Sequence, residues 1–172
     1  VIFEFGVRWG SNLALLSMMR GIYEPFNLYR KIVGFDTFSG FPAVHEKDGD
    51  DVMVQEGSHT VTDHYEQYLY QILDFHENNS PINHIKKFEL VKGDASITLS
   101  DYLNNHPETI ISFAYFDFDI YEPTKKCLEL ILDYVTKGTV IAFDELNYQR
   151  FPGETVAFKE ILGLSKYQIV RS

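Results

Sequence analysis

The run Ile111-Ser-Phe-Ala-Tyr-Phe-Asp-Phe-Asp-Ile-Tyr121 most restricts what this chain can fold into, because an apolar strand ends there abruptly in carboxylates. The same happens at Gly138-Thr-Val-Ile-Ala-Phe-Asp-Glu145. Between them, Glu122 to Thr136 carries Cys127, Leu128, Leu130, Ile131, Leu132 and Val135 at helical spacing, with Pro123 near the start, where its missing N–H costs little. A crossover of this length joins parallel strands. Asp117, Asp119, Asp144 and Glu145 would then meet at the carboxyl edge of a sheet, where open α/β folds bind ligands.

Clustered carboxylates repel one another, and a bound cation is the simplest way to keep them ionised. Oxygen-only ligands suit Mg²⁺, Ca²⁺ or Mn²⁺ better than zinc. Taken singly, each acid could instead cap a helix or face solvent.

The chain has 172 residues, 45% of them apolar, which fits one globular domain, 1–172, with a sizeable core. A formal charge of -10 with no basic run longer than a Lys pair argues against a nucleic-acid partner. Cys127 is the only cysteine, so the chain holds no internal disulfide framework or zinc cluster, and a reducing cytoplasm is expected. No apolar run reaches the ~20 residues of a membrane span, and no membrane partner is expected. The opening in the strand-like Val1-Ile-Phe-Glu-Phe5 and the close at Tyr167-Gln-Ile-Val-Arg-Ser172 lead us to expect a domain truncated at both ends.

Apolar strand-like runs alternate with amphipathic ones, the pattern of a doubly wound α/β domain with a mostly parallel sheet. Strands are expected near 1–5, 31–36, 87–92, 110–117, 138–144 and 167–171. Helices are expected near 11–23, 64–77, 97–104, 122–136 and 154–162, the last after a Pro152-Gly153 turn. The stretch 42–84 is too long for a βα loop and reads as a lid or recognition insertion after the second strand. Of its histidines, His45 and His59 are the candidates for touching substrate.

The first strand runs into Glu4-Phe-Gly6-Val-Arg-Trp-Gly10-Ser11, whose glycines allow a tight turn and close approach to a ligand. Their spacing is not the dinucleotide fingerprint. The second strand ends in Asp36-Thr37, where an acid can accept from both hydroxyls of a ribose. The third ends in Gly93-Asp94-Ala95, where Asp94 and adjoining backbone could meet an adenine edge.

Glu4-x-Gly6-x-x-x-Gly10, Phe35-Asp-Thr-Phe-Ser-Gly-Phe-Pro42, Lys92-Gly93, Asp117-Phe-Asp-Ile-Tyr-Glu-Pro-Thr124 and Phe143-Asp-Glu145 together resemble the macrocin O-methyltransferase family. The resemblance spans nearly the whole chain in order. It implies the class I (Rossmann-like) methyltransferase fold, S-adenosyl-L-methionine as cofactor, Mg²⁺, and a sugar or other small-molecule hydroxyl as acceptor in natural-product biosynthesis. By position it places the metal on Asp117, Asp144 and Glu145, and makes Asp119 the general base. It places Glu4, Gly6, Gly10 and Ser11 near the methionine moiety, Asp36 and Thr37 at the ribose, Gly93, Asp94 and Ala95 near the adenine, and Asp117 beside the cofactor. The family often has Trp-Arg-Gly-Gly and Asp-Asp where this chain has Arg8-Trp-Gly-Ser11 and Asp144-Glu145. It leaves a homo-oligomer open.

Strand alternation would point Asp117 and Asp119 the same way if the strand extends that far. Two other readings stay open from the residues alone: a metal-dependent hydrolase or phosphotransferase built on the acids, and a non-catalytic nucleoside-binding module on the same fold.

Overall fold

The computed structural model describes residues 1–170, and its centre is a five-stranded parallel sheet in the order β3-β2-β1-β4-β5. The strands are β1 (Ile2–Phe5), β2 (Ile32–Asp36), β3 (Phe88–Lys92), β4 (Ile111–Phe116) and β5 (Val135–Phe143). The helices are α1 (Ser11–Tyr23), α2 (Tyr65–Asn78), α3 (Ala95–Asn105), α4 (Tyr121–Ile131) and α5 (Pro152–Ile161). From β1 the chain winds outward through β2 to β3, then returns to β4 on the other side of β1. The switch point therefore lies between β1 and β4, which opens a crevice at their carboxyl ends. This is the doubly wound architecture expected from the alternating pattern.

Aromatic residues fill the sheet's interior. Phe3, Phe5, Phe35 and Phe116 are fully buried and packed edge-to-face or offset, with centroids 4.6–5.8 Å apart. Across from them, α2 is held by a buried ion cluster that the sequence pattern does not announce. Glu77 takes Arg20 of α1 at 3.1 Å and Lys87, just before β3, at 2.5 Å. Removing one member of such a cluster strands the others in an apolar setting, a loss of about 3–5 kcal/mol.

Several expectations are corrected. The crossover helix stops at Ile131 and tightens into a 3₁₀ turn over Leu132–Tyr134, so β5 begins at Val135, not at 138. Gly138, read as a boundary, sits at φ 101 where the β4–β5 register slips between Ile111 and Phe113. It is a bulge inside the strand. Pro152 opens α5 at its first turn instead of turning the chain ahead of it.

The 42–84 stretch is not one insertion. Its second part, α2, is an ordinary crossover helix packed on α1, and only the irregular part before it departs from the compact rhythm. Tyr167–Val170 form no strand and are exposed, because their alternating pattern finds no neighbour to pair with among the described residues. The last position of that expected strand, 171, lies outside the described residues.

Candidate active site

Four of the five strands, β1, β3, β4 and β5, continue their ladders by one residue before the chain turns away. Gly6 N–H donates to Phe35 O at 3.0 Å, Gly93 N–H to Asp36 O at 2.8 Å, Asp117 N–H to Phe5 O at 2.9 Å, and Asp144 N–H to Phe116 O at 3.0 Å. The turning residues thus leave the sheet side by side. Gly6, at φ 85, stands at the switch point, where a Cβ would collide with the Asp117 carbonyl. Only glycine lets the loops after β1 and β4 meet there.

Above this edge opens a cavity of about 290 Å³, at the lower end of small-molecule sites. Its wall brings together Gly6, Asp36, Thr37, Gly93, Asp94, Ala95, Asp117, Asp119, Asp144 and Glu145, most of the residues read from the sequence. Three are not in the wall. Glu4 is buried within β1, where burial, then Asp117 and Asp36, push its carboxyl well above the usual range. Gly10 is turned toward Leu69 of α2, whose side chain occupies the space a Cβ would need, and Ser11 begins α1 beside it.

The acids fall into two kinds. Asp36 accepts from Arg8 N–H at 2.7 Å and from Phe38 N–H at 2.5 Å, tying the first two loops together. Burial still raises its pKa, against the pull of those amides. Asp94 caps α3, accepting from Ser96 N–H at 2.9 Å and its hydroxyl at 2.7 Å. Asp117 and Asp119 are pushed up to about 7, first by burial and then by neighbouring carboxylates. Glu145 is raised by burial and by Asp144.

Strand alternation does not set Asp119, because β4 ends at Phe116. The chain instead passes through φ 63 at Asp119 to reach the start of α4. Both carboxylates still line the cavity. A non-glycine residue held in the left-handed region beside a cavity marks a place where surroundings override local preference.

The carboxylates offer a hard cation only oxygen donors, and Arg8 is the cationic side chain in the wall. In kind they fit such an ion. As placed, however, no three His, Cys, Asp or Glu side chains among the described residues form a group that could hold a metal. Of these acids, Asp144 accepts a hydrogen bond from the Tyr115 hydroxyl at its Oδ1, 2.6 Å away.

Other residues emerge only in three dimensions. Arg8 reaches the wall from a left-handed turn at φ 48, and its signal was a lone basic residue between two loop glycines. Phe41 and Phe151 come from distant segments, and His59, a candidate already from the sequence, joins them in the wall. Glu154 is fully buried behind Glu145, whose N–H it accepts at 3.0 Å. Its placement was readable in principle, since Ala157 and Phe158 at i+3 and i+4 put it on the buried face of α5. His45, by contrast, accepts from Lys47 N–H at 3.1 Å and packs on Tyr121, away from the cavity. Among the described residues no helix is long and apolar enough to cross a membrane.

No family model and no curated protein matches the chain. Solved structures do. A crystal structure of CalS11, a calicheamicin methyltransferase, is 46% identical over 96% of this chain, with a TM-score of 0.94. An apo structure of CalS11, described as a TDP-rhamnose 3'-O-methyltransferase of calicheamicin biosynthesis, is 43% identical over 96%, with a TM-score of 0.82. The O-methyltransferase NovP, at 19% identity and a TM-score of 0.64, shares the fold. This chain spans 65% and 63% of the length of the two CalS11 structures. The resemblance read from the sequence is borne out at the level of sugar O-methyltransferases: the fold is that of the class I methyltransferases, and the chain is similar over nearly all its length to a methyltransferase of that kind.

Proposed function

We propose that this protein is an S-adenosylmethionine-dependent O-methyltransferase whose acceptor is a hydroxyl of a sugar, a nucleotide-linked deoxysugar being the first to try. One observation carries the reading. A single cavity at the switch point has nucleoside-type features at the ends of β1, β2 and β3, and raised carboxylates at the end of β4. Similarity to a TDP-rhamnose 3'-O-methyltransferase supports the acceptor class.

In this reading Asp36 binds the ribose hydroxyls through lone pairs left free by the Arg8 and Phe38 amides. The adenine lies by Gly93, Asp94 and Ala95, and the methionine portion near Gly6. When bound, the sulfonium cofactor supplies an electrophilic methyl group. A hard divalent cation, held by Asp117, Asp144 and Glu145, would acidify and orient the acceptor hydroxyl.

Asp119 takes the hydroxyl proton. Its carboxyl lines the cavity, and burial makes it more basic than an ordinary aspartate, which suits that role. The deprotonated oxygen forms a bond to the methyl carbon as the carbon–sulfur bond breaks, its electrons staying on sulfur. Asp119 keeps the proton until water removes it. Gly6 and the Asp117 backbone it touches fix the two halves of the cavity against each other, which serves the in-line geometry that displacement needs. The Phe41–Val61 excursion, whose residues join the acceptor-side wall, acts as its cover.

The test is incubation of the protein with S-adenosylmethionine and TDP-rhamnose, with and without Mg²⁺, followed by mass spectrometry of the sugar. A methylated sugar formed only with Mg²⁺ supports the full reading. Transfer without added cation, after chelation, removes the metal from it. Binding of S-adenosylhomocysteine without any transfer points to a non-catalytic nucleoside-binding module.

A further inference from the structure

His59 lines the cavity, yet the chemistry above gives it no work. Its ring packs against those of Phe41 and Phe151, with centroids 4.9 and 5.9 Å away, and the two phenylalanines are 6.5 Å from each other. Both phenylalanines are buried, and with Ile120 they form a small apolar cluster separate from the sheet's core. His59 therefore belongs to an aromatic face of the wall, across from its carboxylates.

The position is tightly held. Phe41 N–H donates to Ser58 O at 3.0 Å and Gly57 N–H donates to Phe41 O at 3.0 Å, closing the intervening chain into a loop whose neck adjoins His59. At that neck Gly40, φ 83, has no room for a Cβ against the carbonyls of Gly57 and Ser58. The loop is pinned further out where Asp48 accepts from Tyr121 N–H at 2.6 Å and Asp51 pairs with Arg150 at 2.7 Å. His59 itself adopts φ 64, a conformation that a non-glycine residue keeps only when its surroundings impose it.

His59 Nδ1 is buried and no described group bonds it. Buried polar atoms are rarely left so. Burial, and after it the positive charge of Arg8, hold the imidazole below the ordinary histidine range, so at neutral pH the ring has one donor and one acceptor nitrogen. His45 has spent its nitrogen on the Lys47 amide; His59 has not.

We infer that His59 is an acceptor-binding residue, hydrogen-bonding a hydroxyl of the sugar while Phe41 and Phe151 pack against a C–H face of the same ring. This rests on the methyltransferase reading and narrows its acceptor. Phenyl rings offer no partner to a hydroxyl pressed against them, so the wall favours an acceptor with a methyl or deoxy position there, such as a deoxysugar.

The test uses His59→Gly, which suits the left-handed backbone while removing the ring, and His59→Asn, which tolerates the same backbone and keeps a polar group. Acceptor KM and kcat are measured with TDP-rhamnose and TDP-glucose, and S-adenosylhomocysteine affinity by calorimetry. Loss of one hydrogen bond and the ring's packing should raise the TDP-rhamnose KM about ten-fold or more in His59→Gly, with part recovered in His59→Asn. Nucleoside affinity should stay within about two-fold in both, since His59 is not on that wall.

An unchanged KM in His59→Gly, an equal fall in nucleoside affinity, or a wild type that prefers TDP-glucose would overturn the inference. A wild type that binds S-adenosylhomocysteine but methylates neither sugar overturns it too, while the nucleoside site stands. A wild type that binds no nucleoside brings down the methyltransferase reading itself.

Discussion

The acids on the two sides of the switch point have the same chemistry but different circumstances. At the ends of β2 and β3 the chain satisfies its own carboxylates: Asp36 takes two backbone amides and Asp94 caps α3. At the ends of β4 and β5 it does not. Asp144 has a tyrosine hydroxyl, while Asp117 and Asp119 are buried among like charges and driven up to about 7. The first side is built as fixed architecture, against which a neutral nucleoside can be positioned. On the second side folded stability is given up for reactivity, the usual sign of a site where chemistry is done.

The sharpest way to break this contrast is Asp119→Asn. Turnover should fall by about 10²–10⁴ with loss of the general base, while S-adenosylhomocysteine affinity holds. The melting temperature should rise, because a neutral amide removes one member of a repelling buried group. A drop in both affinity and melting temperature would place Asp119 in the supporting structure instead. Asp36→Ala should do the reverse, weakening nucleoside binding at least about ten-fold and costing about 1–3 kcal/mol in chemical denaturation, since the Arg8 and Phe38 amides lose their acceptor.

Gly6→Ala probes the joint between the two sides. A Cβ there meets the Asp117 carbonyl at φ 85, so affinity and turnover should fall together, with a stability loss of about 1–3 kcal/mol. The smallest effect belongs to Tyr115→Phe. It frees Asp144 Oδ1, and the Mg²⁺ concentration for half-maximal turnover should shift by only a few-fold at about the wild-type kcat. An unaltered Mg²⁺ requirement would show that this hydroxyl does not govern the carboxylate.

What could be read in advance follows from range. The strand–helix–strand spacing around Cys127 was enough to bring Asp117 and Asp144 to one level, because parallel pairing aligns Phe116 with Phe143. Asp36 and Asp94 were legible as strand-end acids, but not the amides they accept, since Arg8 N–H comes from another loop. Asp119 lines the cavity with Asp117, but the condition that the strand extend to it fails: the turn into α4, not strand alternation, sets it. Gly138 looked like a boundary because a bulge and a strand start share the same local chemistry. His59 was legible as a candidate, but its aromatic setting was not, because Phe41, His59 and Phe151 meet only through tertiary packing.

The most direct test of the divided edge is calorimetric titration of S-adenosylhomocysteine into the wild type, Asp36→Ala and Asp119→Asn, each stripped of metal and then with Mg²⁺ restored. We predict micromolar binding to the wild type and to Asp119→Asn, indifferent to Mg²⁺, and binding to Asp36→Ala at least about ten-fold weaker. Equal losses in the two variants, or wild-type binding that appears only with Mg²⁺, would contradict the separation of a nucleoside side from a reacting side.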